Sequence, residues 1–158
     1  MLFSTKAEYG VRLMVELGRR TGQAEPATAV PVSLTAVAEA ENLPLSYLEH
    51  LVAKLRHAEL VSSVRGAHGG YLLAKPASEI AMLDVVQALE GPIAPMECFH
   101  PDQEGRVQCS HEPGAHQHCA TKLLWTRVHG GVTKVLAGTT LADLVEFAEG
   151  ETPTLTAA

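Results

Sequence analysis

Residues 43–73, LPLSYLEHLVAKLRHAELVSSVRGAHGGYLL, constrain the fold most, because a short helical period passes there into a two-stranded pattern through a basic, glycine-rich turn. Leu48, Leu51, Val52 and Leu55 recur at three- and four-residue spacing and define one apolar helical face. Ser46, Tyr47, Glu49, His50 and Lys54 are left on the other. Ser46 is placed to cap this helix, and Glu49, three residues on, to complete a capping box. Residues 60–64 and 71–73 read as short strands, joined through Gly66, Gly69 and Gly70, which supply the permissive backbone of a tight connection. Arg65 and His68 fall in that turn. This is the plan of a winged helix.

Upstream, Ser4 or Thr5 opens a helix reaching about Arg20, with Ala7, Val11, Met14 and Val15 as its expected buried stripe and Gly22 beyond its end. Glu8, three residues after Thr5, suits the acid of a capping box. Residues 23–31 shift to Ala, Pro and Thr and read as a linker. Ser33 starts a second short helix, and residues 42–44 turn the chain into the helix at Ser46, giving helix, turn, helix. In such modules the second helix enters the major groove while neighbouring parts meet the backbone. Glu49 is suited to accept from cytosine N4 and His50 to donate to guanine, whereas Lys54 and Arg56 suit phosphates. Arg65, close to glycines, can enter a narrow minor groove.

The net charge of −6 argues at first against a nucleic-acid partner, but its distribution reverses that impression. Residues 1–75 hold eight Lys or Arg against seven acids, and residues 76–158 hold four against eleven, so the balance is +1 in front and −7 behind. The front half is the candidate for double-stranded DNA. No apolar run approaches the roughly 20 residues of a membrane span. The start lacks a signal-peptide pattern, which favours a reducing, cytoplasmic setting for the three cysteines and disfavours a disulfide framework.

After Pro76, a helix over residues 82–90 is expected to bury Leu83, Val86 and Leu89. Residues 92–118 show no periodicity and contain Cys98, Cys109, His100, His111, His116 and His118. A last long helix opens at Cys119, with Leu123, Leu124, Val128, Val132, Val135 and Leu136 as a stripe suited to packing on a twin. Gly130 and Gly131 interrupt it, each costing about 1 kcal/mol relative to alanine. Residues 141–148 form a closing helix. The fold class is therefore mainly α with a small β-wing: a winged helix-turn-helix domain over 1–90, a cysteine- and histidine-rich loop over 91–118, a dimerisation helix and closing helix over 119–148, and a tail over 149–158.

Three thiols gathered in one loop and at the mouth of one helix point to a shared metal centre. Zinc would take Cys98, Cys109 and Cys119 with one histidine, and an iron–sulfur cluster would take the same thiolates with a fourth ligand. A thiol or metal enzyme, with Cys109 or Cys119 as nucleophile and a loop histidine as base, is a weaker alternative, because no phosphate loop or paired catalytic motif accompanies them. The chain is expected not to be an enzyme.

The segments STKAEYGVRLM, LSYLEHL and LVSSVRGAHGGYLLAKP, with three cysteines followed by a helix containing LLW, resemble the iron–sulfur winged-helix regulators typified by IscR and NsrR, from about Leu2 to Phe147. The resemblance implies a homodimeric bacterial transcription regulator or repressor, with a 2Fe-2S or 4Fe-4S cluster on the three cysteines sensing redox state, nitric oxide or iron–sulfur status. A zinc-bound or metal-free regulator of the same fold is the nearest alternative. Ten residues separate Cys98 from Cys109 and nine separate Cys109 from Cys119, more than in the family pattern. Lys122 stands where IscR-like members carry a ligating histidine. Glu8 matches the acid that NsrR-like members contribute from the other subunit, and His111 and His118, close to cysteines, are its rivals as fourth ligand.

Overall fold

The computed structural model describes residues 3–21, 29–94, 99–101, 107–109 and 120–150. Helix α1, Thr5–Thr21, begins after Ser4, whose hydroxyl accepts from the Lys6 N–H at 3.2 Å. The reciprocal half of this cap comes from far away in the chain: the Ser4 N–H donates to Glu90 Oε1 at 3.0 Å, and the Ser4 hydroxyl donates to the same oxygen. The expected capping role of Glu8 is thereby corrected, since the Glu8 side chain is exposed and makes no hydrogen bond among the described residues.

Leu13, Met14 and Leu17 of α1 are fully buried, with Ala7 beside them, while Val11 and Val15 are only half-buried. The stripe is rotated from the expected one because two glycines form part of the packed face. A Cβ at Gly10 would strike Leu89, and one at Gly18 would meet Val145 Cγ2 at 2.7 Å. A reading by hydropathy scores these positions as gaps, yet they let two helices approach α1 closely.

Helix α2, Leu34–Glu41, is capped by the Ser33 hydroxyl, which accepts from the Ala36 N–H at 3.1 Å. It ends on Asn42 in the left-handed region at φ 51°. Helix α3, Leu45–His57, follows with Pro44 at its N-cap position and no side-chain cap bond. Ser46 is inside the first turn, so the expected capping box of Ser46 and Glu49 does not form. The Pro44 carbonyl takes the first helical bonds instead, from the Tyr47 and Leu48 amides at 3.1 Å each. The apolar stripe Leu48, Leu51, Val52 and Leu55 is buried as its spacing requires.

Strands β1, Val61–Val64, and β2, Gly70–Leu73, pair antiparallel from Val61 opposite Leu73 to Val64 opposite Gly70. Gly66 turns the wing at φ 123°. Val32 adds a bridge on the far side of β2, exchanging hydrogen bonds of 2.9 and 2.8 Å with Tyr71. A Cβ at Gly70 would strike the Val32 carbonyl, so this residue type is needed for the third strand-like segment to close in.

A 3-10 turn, Ala77–Glu79, leads to α4, Met82–Glu90, which buries Met82, Val85, Val86 and Leu89. Leu83, expected inside, is half-buried, because the inward face follows the 82, 85, 86, 89 spacing. The segment expected to lack structure contains a ribbon: β3, Phe99–Pro101, pairs antiparallel with β4, Val107–Cys109. Helix α5, Ala120–Gly138, passes through Gly130 and Gly131 without a break.

Helix α6, Leu141–Ala148, starts with a capping box between Thr140 and Asp143. The Thr140 N–H and hydroxyl hold the Asp143 carboxyl below the usual carboxylate range. Although it follows α5 in sequence, α6 returns to the front of the molecule. Leu141 and Val145 are buried against α1, and the Leu141 amide donates to the Ile80 carbonyl at 2.8 Å. One core thus unites α1 to α4, the wing and α6.

Candidate nucleic-acid interface and thiol region

The burial of one side of α3 decides what its other side can present. Ser46, Glu49 and His50 are exposed at positions 46, 49 and 50, on a common outward ridge, and Arg56 is exposed nearer the end. Across the wing, Arg65 and His68 are exposed in the turn. None of the side chains of Glu49, His50, Arg56 and Arg65 has a hydrogen-bond partner among the described residues. Charged and polar ends are therefore available on two neighbouring projections, one helical and one extended.

Two expected contacts are occupied within the protein. Lys54 Nζ donates to the Leu89 carbonyl at 2.9 Å, at the end of α4 where helix carbonyls lack internal partners. Its ammonium joins α3 to α4, although the residue itself stays exposed. Tyr47 is half-buried, with its ring edge-on to Tyr9 at 5.7 Å and 83°. The ring fixes α3 against α1. Arg12 completes this junction, lying 6.0 Å from the Tyr9 ring centroid and donating from Nε to Glu41 at 2.8 Å. Sequence reasoning gave no role to Tyr9 or Arg12; their three-residue spacing on α1 was the available signal.

At the same end of α4, Glu90, the residue after Leu89, anchors the first turn of α1. The Ser4 hydroxyl, followed by the Ser4 and Ala7 amides and the Lys6 charge, holds its carboxyl below the ordinary carboxylate range against a smaller opposing effect of burial. Glu8 is exposed in the turn that this contact fixes.

In the thiol region, Cys109 ends β4 and pairs in register with Phe99, the residue after Cys98. Strand β4 lies against α5, whose first residue, Ala120, follows Cys119. Cys98, Cys119, His111 and His118 lie outside the described residues, and no cluster of three or more potential metal ligands occurs among the described ones. Along α5, Leu123, Leu124 and Val135 are 62%, 56% and 66% exposed.

A helix-turn-helix with a β-wing, its outward ridge polar and its inner face locked to a helical core, defines the winged-helix class of DNA-binding proteins. The chain belongs to the Rrf2 family, described as iron-dependent transcriptional regulators, whose model matches residues 3–147. It is 39% identical over 151 residues to the transcriptional regulator CymR of Bacillus subtilis, covering 96% of this chain and 94% of that one. It is 34% identical over 149 residues to IscR of Photorhabdus laumondii, covering 94% and 82%. Among solved structures, that of CymR, titled the global cysteine regulator of B. subtilis, matches with a TM-score of 0.71 at 37% identity over 93% of this chain and 98% of that one. IscR of T. potens matches with a TM-score of 0.72 at 34% identity over 99% and 94%. The protein is thus a DNA-binding transcription regulator, and its relatives are regulators and not enzymes. No helix among the described residues is long and apolar enough to cross a membrane.

Proposed function

We propose that the chain is a homodimeric regulator whose operator affinity is set by an iron–sulfur cluster on Cys98, Cys109 and Cys119. The observation that carries this reading is the placement of Cys109 and of the residues that follow Cys98 and Cys119. The β3–β4 register sets Cys109 opposite the neighbour of Cys98, and β4 rests on the helix that begins beside Cys119. Three thiolates suit iron–sulfur chemistry, and likeness to IscR and to a family described as iron-dependent favours iron over zinc. When bound, such a cluster supplies iron that is open to exchange, oxidation or attack by nitric oxide.

The chain's own residues supply the rest. Glu8, exposed on a turn held by Glu90, is free to complete the site of a second subunit, with His111 and His118 as rivals. The apolar residues on α5 form the surface on which that subunit packs. Ser46, Glu49 and His50 read base edges in the major groove, Arg56 meets the backbone, and Arg65 with His68 places the wing in the adjoining minor groove. Tyr9, the residue after Glu8, packs edge-on with Tyr47 in the first turn of α3, so a shift of α1 at Glu8 bears directly on the reading helix.

Likeness to CymR favours a second reading, a cluster-free regulator that responds to cysteine supply. Anaerobic purification separates the two. The first reading expects brown protein with iron, acid-labile sulfide and absorption above 300 nm, a rough expectation for thiolate-bound iron. Colourless protein with unchanged DNA binding supports the second.

A further inference from the structure

Glu16 is the one ionisable side chain buried among the described residues, at 4% exposure. Its Oε1 accepts from Arg20 Nε at 2.6 Å and its Oε2 from Arg19 Nη1 at 3.2 Å. The two arginine side chains remain 41% and 45% exposed, so the cluster keeps an excess of positive charge at the surface. Burying a carboxylate is costly unless it is paired, and pairs between neighbours on one helix are ordinarily left in water. Here the buried end fixes Arg20 Nε, and the terminal nitrogens of Arg20 have no partner among the described residues.

Arg20 shares a cleft with Val32, Ser33, Ala36, His68 and Gly69. One wall is the first turn of α2, whose N-terminus favours an anion, and the other is the wing turn. The hydrogen bonds between Val32 and Tyr71 hold those walls together. When α3 occupies one groove and the wing the next, the strand between them runs past both, and the first helix of the motif is the one that crosses the backbone.

We propose that Arg20, oriented by buried Glu16, binds a phosphate of the operator backbone in the cleft between the start of α2 and the wing. The proposal rests on the DNA-binding reading of the fold and adds α1 to the interface. Glu16 is a positioning residue, and Arg20 makes the contact.

The test uses anisotropy titrations of the full chain on a duplex selected by the protein from a random pool, repeated over a salt series and over single base changes. Arg20→Ala is expected to lower affinity about tenfold for every duplex and to reduce the salt slope by about one. Glu16→Leu, which removes a negative charge from a DNA-facing region, is nevertheless expected to weaken binding. Combined with Arg20→Ala it should cost nothing further. Equal or tighter binding by Glu16→Leu overturns the positioning role, and an unchanged affinity and slope for Arg20→Ala overturns the contact. Should Glu16→Leu fail to fold, Arg20→Lys serves instead: it keeps the charge without the planar fork, and wild-type affinity would overturn the need for orientation. Weakened binding by Arg65→Ala alongside wild-type binding by Arg20→Ala defeats this inference alone, whereas a wild-type chain that selects no duplex defeats the DNA reading beneath it.

Discussion

Two helices of similar length use leucine and valine to opposite effect. In α1, Leu13 and Leu17 are fully buried, and α4 and α6 close over glycine positions on either side. In α5, Leu123, Leu124 and Val135 remain more than half exposed. The front of the molecule closes on itself among the described residues: its buried side-chain polar atoms are all satisfied there, and the starts of α1, α2 and α6 are tied by Ser4, Ser33 and Thr140. The α5 region leaves these apolar residues uncovered among the described residues, and in the proposed dimer the second copy covers them. Under the proposed function, the first region supplies stability and the second supplies response.

The largest expected effect breaks the second region and spares the first. Replacing any one of Cys98, Cys109 or Cys119 by Ala should abolish the visible absorption and bound iron while thermal unfolding of the front core is retained, because two thiolates are too few to hold a cluster through purification. A variant that keeps native iron and spectrum removes that cysteine from the site.

Next in size, Leu124→Glu should convert a dimer to a folded monomer in light scattering. Placing a carboxylate within a desolvated interface costs several kcal/mol of association, whereas at a site 56% exposed in the protomer it costs the single chain little. An unchanged dimer would move the subunit contact off this face.

The front region can be divided in turn. Arg65→Ala should weaken operator binding by about tenfold, a loss of roughly 1.4 kcal/mol, without altering dimer or cluster. Glu49→Ala should act at a single base position, changing its preference by roughly 1 to 3 kcal/mol. Since no capping box joins Glu49 to Ser46, a stability loss is not expected to accompany that change. A uniform loss over all base variants would remove Glu49 from base reading.

The smallest effect is at the joint between the regions. Glu90→Ala should lower stability at neutral pH by at most about 1 kcal/mol, the usual worth of a helix cap, reduced by solvent screening. The folded-state carboxyl titrates below the ordinary glutamate value of 4.5, so the wild-type advantage is present above that value and is lost as the pH falls through the folded pKa. Melting curves for the two proteins should converge in acid. A gap that widened as the pH fell, or that stayed undiminished well below the folded pKa, would show that the Glu90 charge is not what holds the turn.

Much of the front region was legible because its signals are local. The α3 stripe, the glycine turn of the wing and the Ser33 cap each lie within a few residues of their consequences. What escaped depends on distance along the chain or on residues that score as empty. Lys54 looks like a free cation until α4 brings a carbonyl from 35 positions away, and Ser4 finds its carboxylate 86 positions on, so the nearer Glu8 was mistaken for it. Gly10 and Gly18 interrupt an apolar pattern yet form its most closely packed points. In the thiol region the sequence showed the ligand types, but no periodicity announced the short β3–β4 ribbon, whose strands are three residues each.

In the proposed regulator, the thiol region sets the DNA affinity of the front region. The direct test is to titrate one anaerobic preparation against the selected duplex before and after chelation of its iron, with iron and sulfide measured on the same samples. A change in affinity that follows iron loss and reverses on reconstitution, while the dimer persists, is the predicted result. Equal affinity in the iron-loaded and iron-free protein, or a preparation that never holds iron, would contradict it.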